Sequence, residues 1–237
     1  MSSALPQAVK YHGWLMELTR PWLRGQALEA GFGYGQYTPY FARHTERLVA
    51  VDCDPVCVER LRAQLPEVEA RVADLTDPEF ALRVGRAVFD VIICLNVLEH
   101  IQDDAQTLAQ FREALRPGGR LLLIVPAHPA LYGSMDAMAG HFRRYTRSEL
   151  RRRLIAAGYR IRRLRYINPV GGLGWWANAK LFKPRDLSAP MVNRQILWYD
   201  RYVQPLSRLV TPLTAPFFGQ SVWVVAEGLG DFPSGGA

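Results

Sequence analysis

The sequence is short of cysteine, with only Cys53, Cys57 and Cys94 among 237 residues. Their number and spacing exclude a disulfide framework and a paired-cysteine zinc site. Long hydrophobic runs are missing as well. The longest, LLLIVPA at 121–127, has the length of a strand and falls far short of the ~18–20 apolar residues that span a bilayer. The opening MSSALPQAVKYHGWL lacks a basic stretch followed by an apolar one, so no secretory leader is expected. The expected location is therefore the cytoplasm, with contact at the inner face of the membrane as a variation on it. No internal repeat is found, which sets solenoids and propellers aside. Acidic residues are outnumbered 22 to 29, giving a net charge of +7. Ten arginines fall between Arg143 and Arg165, a density that suits anionic partners or a solvated helix face.

What is present points to a globule: 49% of the residues are apolar and 11% aromatic. A length of 237 residues fits one α/β domain with a substantial core. Strand-like runs at 26–30, 47–52, 68–74, 89–95 and 120–126 alternate with helix-like segments, as in a parallel sheet with crossover helices. Asp54-Pro55 and Asp77-Pro78 each read as an N-cap before a first-turn proline. Asp103-Asp104 opens a helix that runs toward Pro117-Gly118-Gly119, and Thr146 with Glu149 forms a capping-box pattern. Two further strands are expected at 159–166 and 221–227. The stretch between them, 167–220, is too long for a hairpin and is rich in Gly, Pro, Trp and Tyr. The expected layout is one domain over 1–237, with an N-terminal helical segment at 1–24 and a cap insertion at 167–220. Gly171, Gly172 and Gly174 are expected to make the entry to that insertion flexible, and the tail DFPSGGA is expected to be disordered.

The most informative segment is Glu29-Ala30-Gly31-Phe32-Gly33-Tyr34-Gly35, where a strand runs into glycines at alternate positions. Such glycines allow a tight turn, and the N–H groups of the following helix lie open to a ligand. Asp52 stands at the tip of the next strand, where a carboxylate can accept both hydroxyls of a ribose. Asp74 stands at the tip of the third, within reach of the exocyclic amine of an adenine. A nicotinamide-dependent fold would more often read G-x-G-x-x-G.

Together, E-A-G-F-G-Y-G, V-D-C-D, A-D-L, FDVIICLNVLEHI and LRPGGRLLLIVP, in this order, resemble the class I S-adenosylmethionine-dependent methyltransferases of bacterial small-molecule type. The resemblance covers about residues 25 to 165 and implies a Rossmann-like α/β fold. That fold has a seven-stranded, mostly parallel sheet with helices on both faces, the last strand antiparallel, and here a helical, aromatic-rich insertion between strands 6 and 7. It implies S-adenosylmethionine as cofactor. Glu29, Gly31, Gly33 and Gly35 would surround its methionine moiety, and Asp52 would hold the ribose. Cys53 would pack beside the adenine, Asp74 and the backbone of Leu75 would read the adenine edge, and Asn96 would face the amino group.

Methyl transfer to oxygen also needs a base for the acceptor's proton. His12, His100, His128 and His141 are candidates. His100 and His141 are the catalytic expectation, because both follow strands whose carboxyl ends face the ligand edge. Glu99-His100 with a later histidine resembles the divalent-metal set of some quinone-biosynthetic and small-RNA 2′-O-methyltransferases. Those carry a glutamate where this chain has Asn96, and no metal is expected. The insertion interleaves Trp175, Trp176, Trp198 and Tyr202 with basic residues, which suits a lid over an apolar substrate or a membrane contact. The expected function is O-methylation of a small-molecule or lipid-linked acceptor, with peripheral membrane contact as an added partner. RNA methylation is the alternative, as is a non-catalytic cofactor-binding module at a membrane surface or protein interface.

Overall fold

The computed structural model describes residues 7–177 and 190–229. Segment 178–189, with Lys180, Phe182, Lys183 and Arg185, and the tail at 231–237 lie outside the described residues. Seven strands form one sheet: β1 Gln26–Ala30, β2 Arg47–Asp52, β3 Glu69–Val72, β4 Phe89–Leu95, β5 Leu115–Pro126, β6 Tyr159–Ile167 and β7 Ser221–Gly228. Their order is β3-β2-β1-β4-β5-β7-β6, and β7 runs antiparallel to both β5 and β6. The first five strands are parallel, and β1, β2, β4 and the second half of β5 are nearly continuous in apolar residues, since both faces of the sheet are covered there.

One face packs Leu28, Val49, Ile92 and Leu123 beneath α4 Phe80–Val84, α5 Asp104–Ala114 and α7 Arg147–Ala156. The other packs Ala27, Ala50, Ile93 and Trp223 against α1 Val9–Thr19, α2 Thr38–Arg43 and α3 Pro55–Gln64. Three of the four N-caps expected from the sequence form. Asp54 accepts the N–H of Val56 at 2.9 Å, Asp103 that of Gln106 at 3.1 Å, and Thr146 that of Glu149 at 3.1 Å. Glu149 does not complete its box; its carboxylate pairs with Arg153.

Three boundaries differ from the sequence reading. Asp77-Pro78 does not start a helix: Asp77 closes a turn on the Glu79 N–H at 2.8 Å, and α4 begins at Phe80. β3 stops at Val72 because Asp74 folds the chain back on Thr76. β5 begins at Leu115, directly after α5, with residues 116–119 bulging out between the pairs Phe89–Leu115 and Val91–Arg120.

Among the described residues the insertion holds α8 Pro169–Ala177, α9 Pro190–Trp198, a π-helical turn Tyr199–Val203 and α10 Gln204–Thr214. A short helix, α6 Ser134–Ala139, precedes α7. Asn168, at φ +61°, ties both ends of the insertion together. Its side chain donates to Gln220 at 2.7 Å and accepts from Ser207 at 2.8 Å and from the Tyr199 hydroxyl. Two of the three entry glycines, Gly171 and Gly172, serve packing, unlike the flexible entry expected of them, whereas Gly174 has open space around it. A Cβ at Gly171 would lie 2.4 Å from both Asn168 and Gln220, and one at Gly172 would press on Phe218.

Candidate active site at the carboxyl edge of the sheet

The strand order reverses between β1 and β4, so the loops leaving those two strands open a crevice at the carboxyl edge. Gly31, Gly33 and Gly35 line its near wall with φ of +76°, +56° and +73°. Two of them are required by close packing. A Cβ at Gly31 would meet Val97 at 2.6 Å, and one at Gly35 would meet Leu61 at 2.8 Å. Around Gly33 there is open space, so its backbone faces the crevice. Asp52 anchors the turn: Oδ2 accepts the Gly33 N–H at 2.7 Å and Oδ1 that of Asp54 at 3.0 Å.

Glu29 is buried at the end of β1, and its Oε2 has no hydrogen-bond partner. Burial pushes its carboxyl up to about 8. Cys53 is exposed beside Asp52. Asp74 is exposed, with Oδ1 accepting from the Thr76 N–H and hydroxyl, both at 2.8 Å. The Leu75 side chain is buried, and its carbonyl accepts the Thr107 hydroxyl at 3.0 Å. Asn96 is exposed just past β4, in a left-handed conformation at φ +55°.

The far wall is a polar network. The His100 and His141 rings lie 4.7 Å apart, edge to face. His141 Nδ1 bonds to Asp136 Oδ1 at 2.9 Å, while its Nε2 lies 4.0 Å from Glu99. Asp136 is fully buried and also accepts from Arg144 at 2.7 Å, from the Gly133 N–H at 3.0 Å and from the Trp175 indole at 3.3 Å. Burial alone would raise the Asp136 carboxyl; the His141 hydrogen bond and the Arg144 charge outweigh it and hold it below its ordinary value. The Arg144 guanidinium sits 4.9 Å above the Trp175 ring, within cation–π range. Crowding by protein, then the neighbouring His141, lowers the His100 pKa, which favours the neutral imidazole that accepts a proton. Glu99 is buried and pushed up to about 8 by burial.

A family model described as a methyltransferase domain matches residues 13–164. The chain belongs to the S-adenosylmethionine-dependent methyltransferases. It is 31% identical over 136 residues to a protein of Mycolicibacterium smegmatis named as a probable S-adenosylmethionine-dependent methyltransferase, covering 56% of this chain and 51% of that one. A ubiquinone biosynthesis O-methyltransferase of Aeromonas salmonicida is 29% identical over 112 residues, 46% of this chain and 47% of its own. The chain thus spans about half the length of the curated relatives it matches. A geranyl diphosphate methyltransferase solved with S-adenosylmethionine shares the fold at a TM-score of 0.64 and 14% identity, over 91% of this chain and 85% of that one.

In this methyltransferase the residues on the near wall fit the cofactor. The orphaned, buried Glu29 oxygen, the open backbone at Gly33 and the Asp52 carboxylate provide an acid, a cradle and a hydroxyl acceptor on one side of the crevice. On the far wall, ligand atoms of Glu99, His100 and His141 lie within 4.8 Å of one another, a set that could hold a metal ion although none was expected.

The other two histidines lie elsewhere. His12 bonds to the Tyr37 hydroxyl beside the glycine turn. His128 is stacked between Tyr166 and Phe218, at 4.5 and 5.1 Å. Sequence reasoning missed Asp136 and Arg144 altogether. An aspartate five residues before a histidine carries no helical or strand periodicity, and Arg144 reads there as one more surface arginine.

Proposed function

We propose that the chain transfers the methyl group of S-adenosylmethionine to a hydroxyl oxygen of a small-molecule or lipid-linked acceptor. The observation that carries this reading is the close pair of His100 and His141, whose rings lie 4.7 Å apart past the carboxyl ends of β4 and β5. The relatives named O-methyltransferases support it. Bound S-adenosylmethionine supplies a methyl group on a sulfonium sulfur, which departs as a neutral thioether.

Glu29 on the near wall and Asn96 just past β4 hold the cofactor's amino end, with Gly31, Gly33 and Gly35 turning the backbone around it. Asp52 accepts the ribose hydroxyls. Cys53 packs beside the adenine, whose edge is read by Asp74 and the Leu75 backbone. On the far wall His100 takes the acceptor's proton, and His141, fixed by Asp136, orients it. Trp175 and Trp176 on α8 close the insertion over the acceptor and keep water from the transferring methyl.

RNA methylation is the second reading, and the arginine run is its support. Five of those ten arginines (Arg143, Arg144, Arg153, Arg160 and Arg162) are ion-paired with Asp104, Asp136, Glu149 and Glu227, which leaves a thinner basic face than the sequence suggests. The test is turnover of methyl-labelled cofactor on a panel of phenols, catechols, prenyl-linked hydroxyl compounds and structured RNA. A labelled methyl ether is the expected product. Labelled RNA, or tight cofactor binding with no turnover on the whole panel, would overturn the reading in favour of one alternative or the other.

A further inference from the structure

α10 is inside out. Its polar residues Gln204, Ser207 and Thr211 are buried, while Leu206, Leu209 and Leu213 face outward. Leu209 and Leu213 are 74% and 78% exposed, and Phe217, one turn further on, is 79% exposed. A helix on the surface of a water-soluble domain shows the reverse arrangement. The inversion is built in, because the buried hydroxyls are used. Ser207 accepts the Val170 N–H at 3.2 Å and donates to Asn168 at 2.8 Å, and Thr211 donates to the Ser207 carbonyl at 2.7 Å. Rotating the helix to hide its leucines would break the two bonds that Ser207 makes outside the helix, to Val170 and Asn168.

The ridge continues backward at helical spacing. Exposed Tyr202 lies four residues before Leu206, and exposed Trp198 four before that, with their rings 6.1 Å apart. The charge around the ridge is mainly positive, although Arg208 is paired with exposed Glu17. Between residues 190 and 220 the sequence holds Arg194, Arg201 and Arg208 and a single acid, Asp200. Asp200 is turned inward, accepting the backbone N–H groups of Lys10 and Tyr11 at 3.1 and 2.8 Å. At the far end Phe217 shares a hollow with Arg147 and Arg151.

We propose that this ridge docks on the surface of a bilayer containing anionic phospholipid, with α10 lying in the interfacial plane. An apolar stripe, tryptophan and tyrosine at its end and a cationic rim match acyl chains, the headgroup boundary and lipid phosphates in turn. Among the described residues no helix is long and apolar enough to cross a membrane, so the contact lies along the surface. A symmetric pair of chains joined through the same ridge would set like-charged arginines against one another, with exposed Glu17 the acid nearest at hand. The ridge also borders the acceptor side. α10 packs on α8, whose Trp175 reaches Asp136. The proposal thus deepens the lipid-linked reading of the acceptor, although docking itself does not depend on turnover.

The experiment is flotation of the full chain with phosphatidylcholine vesicles and with vesicles of phosphatidylcholine and phosphatidylglycerol in equal parts. The wild type is expected to float with the mixed vesicles and at least ~10-fold less with the neutral ones. The triple variant Leu209→Gln, Leu213→Gln, Phe217→Gln should lose at least ~10-fold of its bound fraction, while its affinity for S-adenosylhomocysteine, which reports folding, is unchanged. A wild type that does not float, or a folded variant that floats as well as the wild type, overturns the proposal. So does a wild-type dimer that the triple variant converts to a monomer, since the ridge would then be covered by a second copy. Efficient turnover of a freely soluble acceptor would remove the lipid-linked reading and leave the flotation result standing, so the two can fail separately.

Discussion

The two walls of the crevice are held by different means. The near wall, from β1 to β3, is backbone: three glycines in left-handed conformations, and N–H groups of the turns bonded to Asp52. Its parts lie close together in sequence and meet because adjacent parallel strands end at one edge. The far wall, from β4 to the insertion, is side chains, and they converge on one carboxylate. Asp136 on α6 accepts from His141, Arg144, Gly133 and Trp175, drawn from α8 and from the loops on either side of α6. A wall made of backbone tolerates most single side-chain losses, whereas a wall centred on one buried acid does not. On the proposed roles the contrast also separates duties, so cofactor binding and acceptor chemistry are expected to be impaired one at a time.

The sharpest way to break the comparison is at Asp136. Asp136→Ala leaves the Arg144 guanidinium buried without its partner and should cost about 3–5 kcal/mol of stability in denaturant unfolding. A loss below about 1 kcal/mol would mean that the far wall does not rest on this carboxylate.

The next effect is kinetic. His100→Ala should lower turnover roughly 100-fold while S-adenosylhomocysteine affinity measured by calorimetry holds. If turnover instead collapses in excess chelator and returns with a divalent cation, the Glu99–His100–His141 group is a metal site and not a proton acceptor. On the near wall, Asp52→Ala should weaken S-adenosylhomocysteine by about 1.5–3 kcal/mol, the worth of hydrogen bonds to a charged acceptor. An unchanged affinity would remove Asp52 from the cofactor site.

A pH-dependent effect sharpens the role of Glu29. In the folded chain burial raises its carboxyl from the ordinary 4.5 to about 8. Across that window the folded chain holds a proton that the unfolded chain has lost, so this residue's contribution to stability declines as pH rises from 4.5 to about 8. Glu29→Gln should flatten that decline in thermal unfolding measured from pH 5 to 8. A profile with the same slope in both proteins would show that the carboxyl is not the group being titrated.

Much of this was legible in the sequence, for reasons specific to each element. β1, β2 and β4 could be read to the residue, because a strand covered on both faces is an unbroken apolar run between turn residues. The glycine turn could be read because a left-handed backbone favours glycine, and three such positions alternate there. Asp77-Pro78 misled, since the same pair that caps a helix also closes a turn, and which it does depends on where Phe80 packs. Gly171 and Gly172 misled in the same way: the absence of a side chain marks close approach as readily as flexibility.

The sequence by itself therefore determined most of the sheet, the glycine turn and Asp52 at the tip of β2, all of which depend on backbone conformation and local periodicity. The tertiary structure decided three things. It set His141 against His100, although they lie 41 residues apart. It gathered four donors on Asp136. It also turned α10 so that its leucines face out. The amphipathic stripe of α10 is written in its residue spacing, but its direction is set by Asn168 and the bonds that Ser207 makes, and those exist only once β6 and the insertion have packed.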